Sequence, residues 1–219
     1  MTMNMKDFLS SILKSLHQID YVKPEDLPNI DLYMDQVTTF MDSQLEASKR
    51  HPEDKILTKT MINNYAKNNL LPPPEKKKYS KEHILCLIFI YYFKNILSIG
   101  DIQRILNPIT DQYFGQDAGD TLNMTGIYQE VFSLENEETK NLLKDLARKY
   151  NISQKTFLKH EELSEKEREF LQKFAFICEL SFDVYIKKML IEKIIDSIPE
   201  KKESENRKKK AEKSEGRKV

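Results

Sequence analysis

Residues 57–106 read LTKTMINNYAKNNLLPPPEKKKYSKEHILCLIFIYYFKNILSIGDIQRIL, a polar helix, a proline stop, a lysine cluster and the most apolar helix of the chain in immediate succession. Thr58 can cap a helix whose interior, Lys59 to Asn69, carries Asn63, Asn64, Lys67, Asn68 and Asn69. Such side chains hydrogen-bond rather than pack. Pro72-Pro73-Pro74 then holds the backbone extended, Lys76-Lys77-Lys78-Tyr79 follows, and Ser80 opens a helix that is apolar nearly all round from Ile84 to Leu97 and is expected to be the core. Ser98 with Asp101 caps a short further helix, Ile99 to Leu106, expected to end at Asn107-Pro108.

Around this stretch the sequence predicts helices. Met5 to Gln18 sets Phe8, Leu9, Ile12, Leu13 and Leu16 on one helical face, and Lys23-Pro24 and Leu27-Pro28 break the chain. From Asp31 to Leu45, Ile30, Tyr33, Met34, Val37, Phe40, Met41 and Leu45 share a side opposite Asp31, Asp35, Asp42 and Glu46. Asp111 to Thr125 holds two of the five glycines and reads as a hinge. Ile127 to Tyr150 is helical with a break near Asn136. Ser164 and Glu167 form a capping box for a helix reaching Ile198, about 50 Å long at 1.5 Å per residue. Its two adjacent apolar rows suit a bundle or a dimer.

The distribution of charge is more informative than its sum. Lys plus Arg and Asp plus Glu both number 35, yet Pro24 to Asp54 carries a net charge of −6 and Lys55 to Lys81 a net charge of +6. Residues 200–219 are a basic tail with no large apolar side chain to bury, expected to be disordered. Cys86 and Cys178 sit in apolar helical runs without CxxC or Cys/His spacing, which fits inert thiols in a reducing cytoplasm. The longest apolar run, Ile84 to Phe93, is half a membrane span. The histidines at 17, 51, 83 and 160 are scattered, and GxSxG, Walker, HExxH and GxGxxG motifs are absent, so the chain is read as a non-enzyme without metal or cofactor.

A polar helix followed by a turn and a lysine triplet points to nucleic acid. Helical asparagines can read adenine edges in the major groove, while lysines hold phosphates. With no arginine in residues 57–81, an A/T-containing site is expected. About six lysines per chain on phosphate would give a dimer a salt slope near −10.

The order of parts resembles the winged helix-turn-helix of MerR-type regulators in Met61-Ile62-Asn63-Asn64-Tyr65, Leu70-Leu71-Pro72, Lys76-Lys77-Lys78-Tyr79-Ser80 and Ser98-Ile99-Gly100-Asp101-Ile102. The strings Leu27-Pro28-Asn29-Ile30-Asp31-Leu32-Tyr33-Met34-Asp35-Gln36-Val37, Leu57 to Tyr65 and Lys77 to Ser80 look like the bacterial family called domain of unknown function 1836. That likeness spans about Leu27 to Phe132. In this chain some fifty residues precede the unit, and Asn63 stands where the MerR recognition helix commonly has arginine.

The resemblance implies an all-α protein with at most a minimal β wing. It would comprise an N-terminal amphipathic helix (1–23), a MerR-like winged helix-turn-helix domain (24–112), a helical dimerisation or sensing region (113–199) and the tail (200–219). The expected function is sequence-specific transcriptional regulation by a dimer on double-stranded DNA, in the cytoplasm and away from membranes, with room for a small-molecule effector. Lys59, Thr60, Asn63, Asn64 and Lys67 would face the major groove, and Lys76, Lys77, Lys78 and Tyr79 would hold phosphates. The rival reading is a protein-interaction adaptor with the same fold. A further one is a ligand-responsive binder using Tyr113, Phe114, Tyr128 and Phe132.

Overall fold

The computed structural model describes residues 22–116 and 122–199. The expected basic tail and, Val22 and Lys23 apart, the expected N-terminal helix lie outside them.

The described chain is mostly helical. Seven α-helices and a two-stranded sheet run in the order β1 (Leu32–Tyr33), α1 (Met34–Gln44), α2 (Lys59–Lys67), β2 (Lys78–Tyr79), α3 (Lys81–Phe93), α4 (Ile99–Tyr113), α5 (Met124–Ser133), α6 (Glu135–Ser153) and α7 (Glu165–Ser197), with short 3-10 turns at Pro24–Asp26 and Glu46–Ser48. The β wing is therefore present and minimal. Its strands pair antiparallel, Leu32 with Tyr79 and Tyr33 with Lys78.

The expected central helix is central. From His83 to Tyr91 every residue of α3 is buried, and α3 packs against α4, α5 and β2. A helix apolar on all sides has no solvent face to offer, so neighbours must surround it. Phe89 contacts Tyr128 and Phe132 of α5 at ring-centroid distances of 5.6 and 5.7 Å, and the Tyr128 hydroxyl donates to the Val22 carbonyl at 2.6 Å. The core thus reaches α5, beyond the boundary expected at 112.

Three expectations about element ends are corrected. The acidic helix starts at Met34 rather than Asp31, because Leu32 and Tyr33 are committed to the ladder with β2 and the Tyr33 N–H is taken by Gln36 Oε1 at 2.8 Å. Ile30 and Tyr33 are exposed in consequence, while Val37, Met41 and Leu45 are buried as expected. The Ile99 helix passes through Pro108 to Tyr113 instead of stopping there. An interior proline costs about 3 kcal/mol, but Ile102, Leu106, Ile109 and Tyr113 continue one apolar stripe onto the core and hold the helix together. Helix α4 therefore covers the start of the expected hinge, α5 begins at Met124, and residues 117–121 lie outside those described. The break in the following helical region falls at Leu134 rather than near Asn136.

Helix α7 has the expected extent and Ser164 cap: the Glu167 N–H donates to Ser164 Oγ and Glu167 Oε2 accepts from the Ser164 N–H at 2.9 Å. Its first half packs on α6 through Phe176 against Tyr150 and through Asp183, which pairs with Lys149, and on the turn after α6 through Gln172, which donates to the carbonyls of Gln154 and Thr156. Its last turn reaches α4, where Ile195 joins the core and the Arg104 guanidinium donates to the Ile198 carbonyl at 2.6 Å.

Candidate nucleic-acid interface

Helix α2 divides cleanly at about 100° per residue. Ile62 and Tyr65 are buried and Met61 half-buried on one side; Lys59, Thr60, Asn63, Asn64 and Lys67 are all exposed and form one stripe on the other. The apolar side docks the helix, so the polar stripe contributes nothing to its packing. Thr58 caps the start by accepting the Met61 N–H at 3.2 Å. At the other end Asn69 takes a left-handed φ of 56°, the Leu70 N–H returns to the Tyr65 carbonyl at 2.9 Å and the Asn69 N–H to that of Ala66 at 3.2 Å, a Schellman closure in which Leu70 and Leu71 enter the core. Asparagine tolerates that φ better than most residues, which accounts for Asn69 without any ligand. The Asn68 carbonyl accepts from Gln103, tying the helix end to α4.

Eight residues after Lys67 the wing turns back. Lys76 and Lys77 both have positive φ, 48° and 65°, and the Lys78 N–H donates to the Glu75 carbonyl at 2.8 Å. This is a two-residue turn of the I′ kind, normally occupied by Asn-Gly. Two lysines held there are strained by roughly 1–2 kcal/mol each, and both are exposed at the tip.

Period-two alternation then separates Lys78 from Tyr79. The Lys78 ammonium lies 5.4 Å from the centre of the Tyr33 ring, half-exposed. Tyr79 is 3% exposed, its ring edge-on to His83, and burial pushes its hydroxyl pKa up. The expectation that Tyr79 holds phosphate is corrected: in a strand whose outward neighbour is Lys78, Tyr79 faces the core.

His83, a residue sequence reasoning passed over, fixes this corner. Its Nδ1 accepts the Ser80 N–H at 3.0 Å, closing a capping box at the start of α3, and its ring sits edge-on between Tyr79 and Phe114. Because an amide N–H can only donate, the neutral ring carries its proton on Nε2. That atom meets no acceptor at full hydrogen-bonding geometry. Burial lowers the His83 pKa, opposed in part by the Pro73 and Pro72 carbonyls and the Asp31 charge. The Ser-x-x-His spacing at a helix start was the available signal.

The acids near the stripe are partly engaged. Asp35 pairs with Lys59, and Asp42 pairs with Lys49 at 2.8 Å, which holds its carboxyl below the usual range. Cys86 is buried and its thiol pushed up to about 12, chiefly by burial and then by the Glu82 charge, as suits an inert core position. Tyr128 and Phe132, expected as candidate ligand contacts, are spent on the aromatic cluster of α3 and α5, and Phe114 packs on His83. Among the described residues no group of three His, Cys, Asp or Glu side chains is placed to hold a metal, and no helix is long and apolar enough to cross a membrane.

These features define a helical unit with an exposed polar helix and a lysine-tipped wing. The model of the family described as Domain of unknown function (DUF1836) matches residues 22–132, and the chain belongs to that family. No curated protein and no solved structure matches the chain.

Proposed function

We propose that the chain is a sequence-specific DNA-binding regulator of transcription, with α1, α2 and the β1–β2 wing acting as a MerR-like winged helix-turn-helix and no catalytic role. The observation that carries this reading is the exposed α2 stripe of Lys59, Thr60, Asn63, Asn64 and Lys67, free of any packing duty and joined by eight residues to a wing tip of two strained lysines. Strained backbone of this kind clusters at functional sites. Asn63 and Asn64 would read base edges from the major groove, Lys59 and Lys67 would flank them, and Lys76 and Lys77 would hold phosphates. Lys59 exchanges its Asp35 partner for a phosphate in this arrangement.

Binding-site selection from a random DNA pool tests it. An enriched A/T-containing site is expected, with Asn63→Ala and Asn64→Ala each costing about 1–3 kcal/mol and relaxing base preference if their contacts are bidentate. Strictly G/C-rich sites would overturn the asparagine readout, and no enrichment at all would overturn the function. The Asp35–Lys59 pair favours a second reading, an adaptor that binds another protein through the same helix. That reading predicts no retention on heparin at moderate salt.

A further inference from the structure

Helix α7 is anchored at both ends and bare in the middle. Residues up to Asp183 lean on α6, and Ile195 and Ile198 reach α4, yet eight large apolar side chains between Phe182 and Ile194 are 37–64% exposed. At roughly 100 Å² each, about half of what large side chains bury when fully covered, this is on the order of 800 Å² of apolar surface per chain. The largest patch on a typical monomer is roughly 300–600 Å², and a standard interface buries about 800 Å² per partner.

The patch also has an unusual shape. At about 100° per residue, Phe182 and Tyr185 define one strip, Ile186 and Leu190 a second about 90° further round, and Val184 and Ile191 a third about 130° beyond that. One partner helix lying between the first two strips covers both and leaves the third, more than 100° away, uncovered. The amphipathic segment 5–18, with a single apolar face, would leave at least one strip wet. At least two helices must therefore arrive together, and the α6–α7 hairpin is a two-helix element that this chain itself supplies. The first half of α7 presents Phe170, Phe174 and Ile177 on the side turned away from α6, all exposed. In a two-fold pair, surface i on one copy meets j on the other and j meets i, so that strip can lie on the partner's bare segment while receiving the same contact in return.

We propose that a second copy of this chain encloses the 182–194 segment of α7 with its own α6–α7 hairpin, reciprocally, so that the two arms interlock rather than touch along one seam. This rests on the exposed faces of α7 and not on DNA binding.

Light scattering and sedimentation of the full chain across a concentration series test the pair, and Tyr185→Glu, Val184→Glu and Leu190→Glu test the enclosure, one strip each. A dimer at low micromolar concentration is expected, with each of the three substitutions weakening it at least about 100-fold and Lys187→Ala leaving it unchanged. Circular dichroism checks that the variants keep their helices. A wild-type monomer at 100-fold higher concentration would overturn the inference without recourse to any variant. A dimer broken through only one or two of the strips would reduce it to a two-helix seam and overturn the enclosure. A monomer that dimerises after Leu13→Glu would assign the cover to segment 5–18 instead. DNA binding by a monomeric wild type would leave the proposed function standing and remove this inference alone.

Discussion

Residues 22–132 and the α6–α7 arm are both helical, but they are held together by opposite means. In the first, α3 is surrounded on every side and Ile88, Ile90, Ile102 and Tyr128 are fully buried. In the second, the buried side chains include Lys149, Ser153 and Gln172, contacts between the helices are salt bridges and hydrogen bonds as much as apolar packing, and most of the large apolar side chains of α7 face solvent. The family match covers the first region and stops where the arm begins. A region that closes its own core folds on its own account, whereas one that leaves its apolar side chains outside depends on something else to cover them.

The comparison can be broken most sharply by truncating one apolar side chain in each region. Ile88→Ala, in the centre of α3, is expected to destabilise the chain by about 2–5 kcal/mol in urea unfolding, at any protein concentration. Tyr185→Ala in the arm should have little effect when the chain is dilute and a growing one as its concentration rises, because the covering surface belongs to a second molecule. Equal, concentration-independent effects would erase the distinction between the regions.

A smaller effect sharpens the contrast within residues 22–132 between what stabilises and what is exposed for use. Replacing Lys76 and Lys77 by Asn and Gly suits the backbone of the wing turn and should stabilise the fold by about 1–2 kcal/mol while weakening DNA binding across all sequences alike. Unfolding and fluorescence anisotropy on the same preparation check both halves. A gain in stability with unchanged affinity would mean that the wing does not meet DNA.

The smallest expected effect concerns His83. Its pKa is depressed in the folded chain, so the unfolded chain takes up the proton first, and stability should fall as pH drops through about 6.5 towards the lower folded value. His83→Gln keeps an acceptor for the Ser80 N–H and should flatten that part of the pH profile. An unchanged profile would place the titrating group elsewhere.

Periodicity and caps made much of this fold legible. Thr58, Ser98 and Ser164 cap the helices they were expected to cap, α3 is the core helix, and α7 runs its full expected length, because each signal is local and strong. Strand β1 was not legible, since two residues are too short for alternation to show, and the wing that holds β2 was expected only from the resemblance. Pro108 misled because tertiary packing of α4 outweighs a local penalty. At the candidate site the exposed asparagines and lysines could be read from composition. The burial of Tyr79 required knowing that Lys78 faces out, and the left-handed turn at Lys76-Lys77 had no sequence signal, lysine being no turn residue.

The salt dependence of DNA affinity tests the central claim most directly. Counting only the exposed Lys59, Lys67, Lys76 and Lys77, about four phosphate contacts per copy give a log–log slope of about −7 for a pair of copies, shallower than the value expected when Lys78 and others were included. The Lys76→Ala, Lys77→Ala double variant should bring it to about −4. A wild-type slope near zero, or one that the double variant leaves unchanged, would contradict the account.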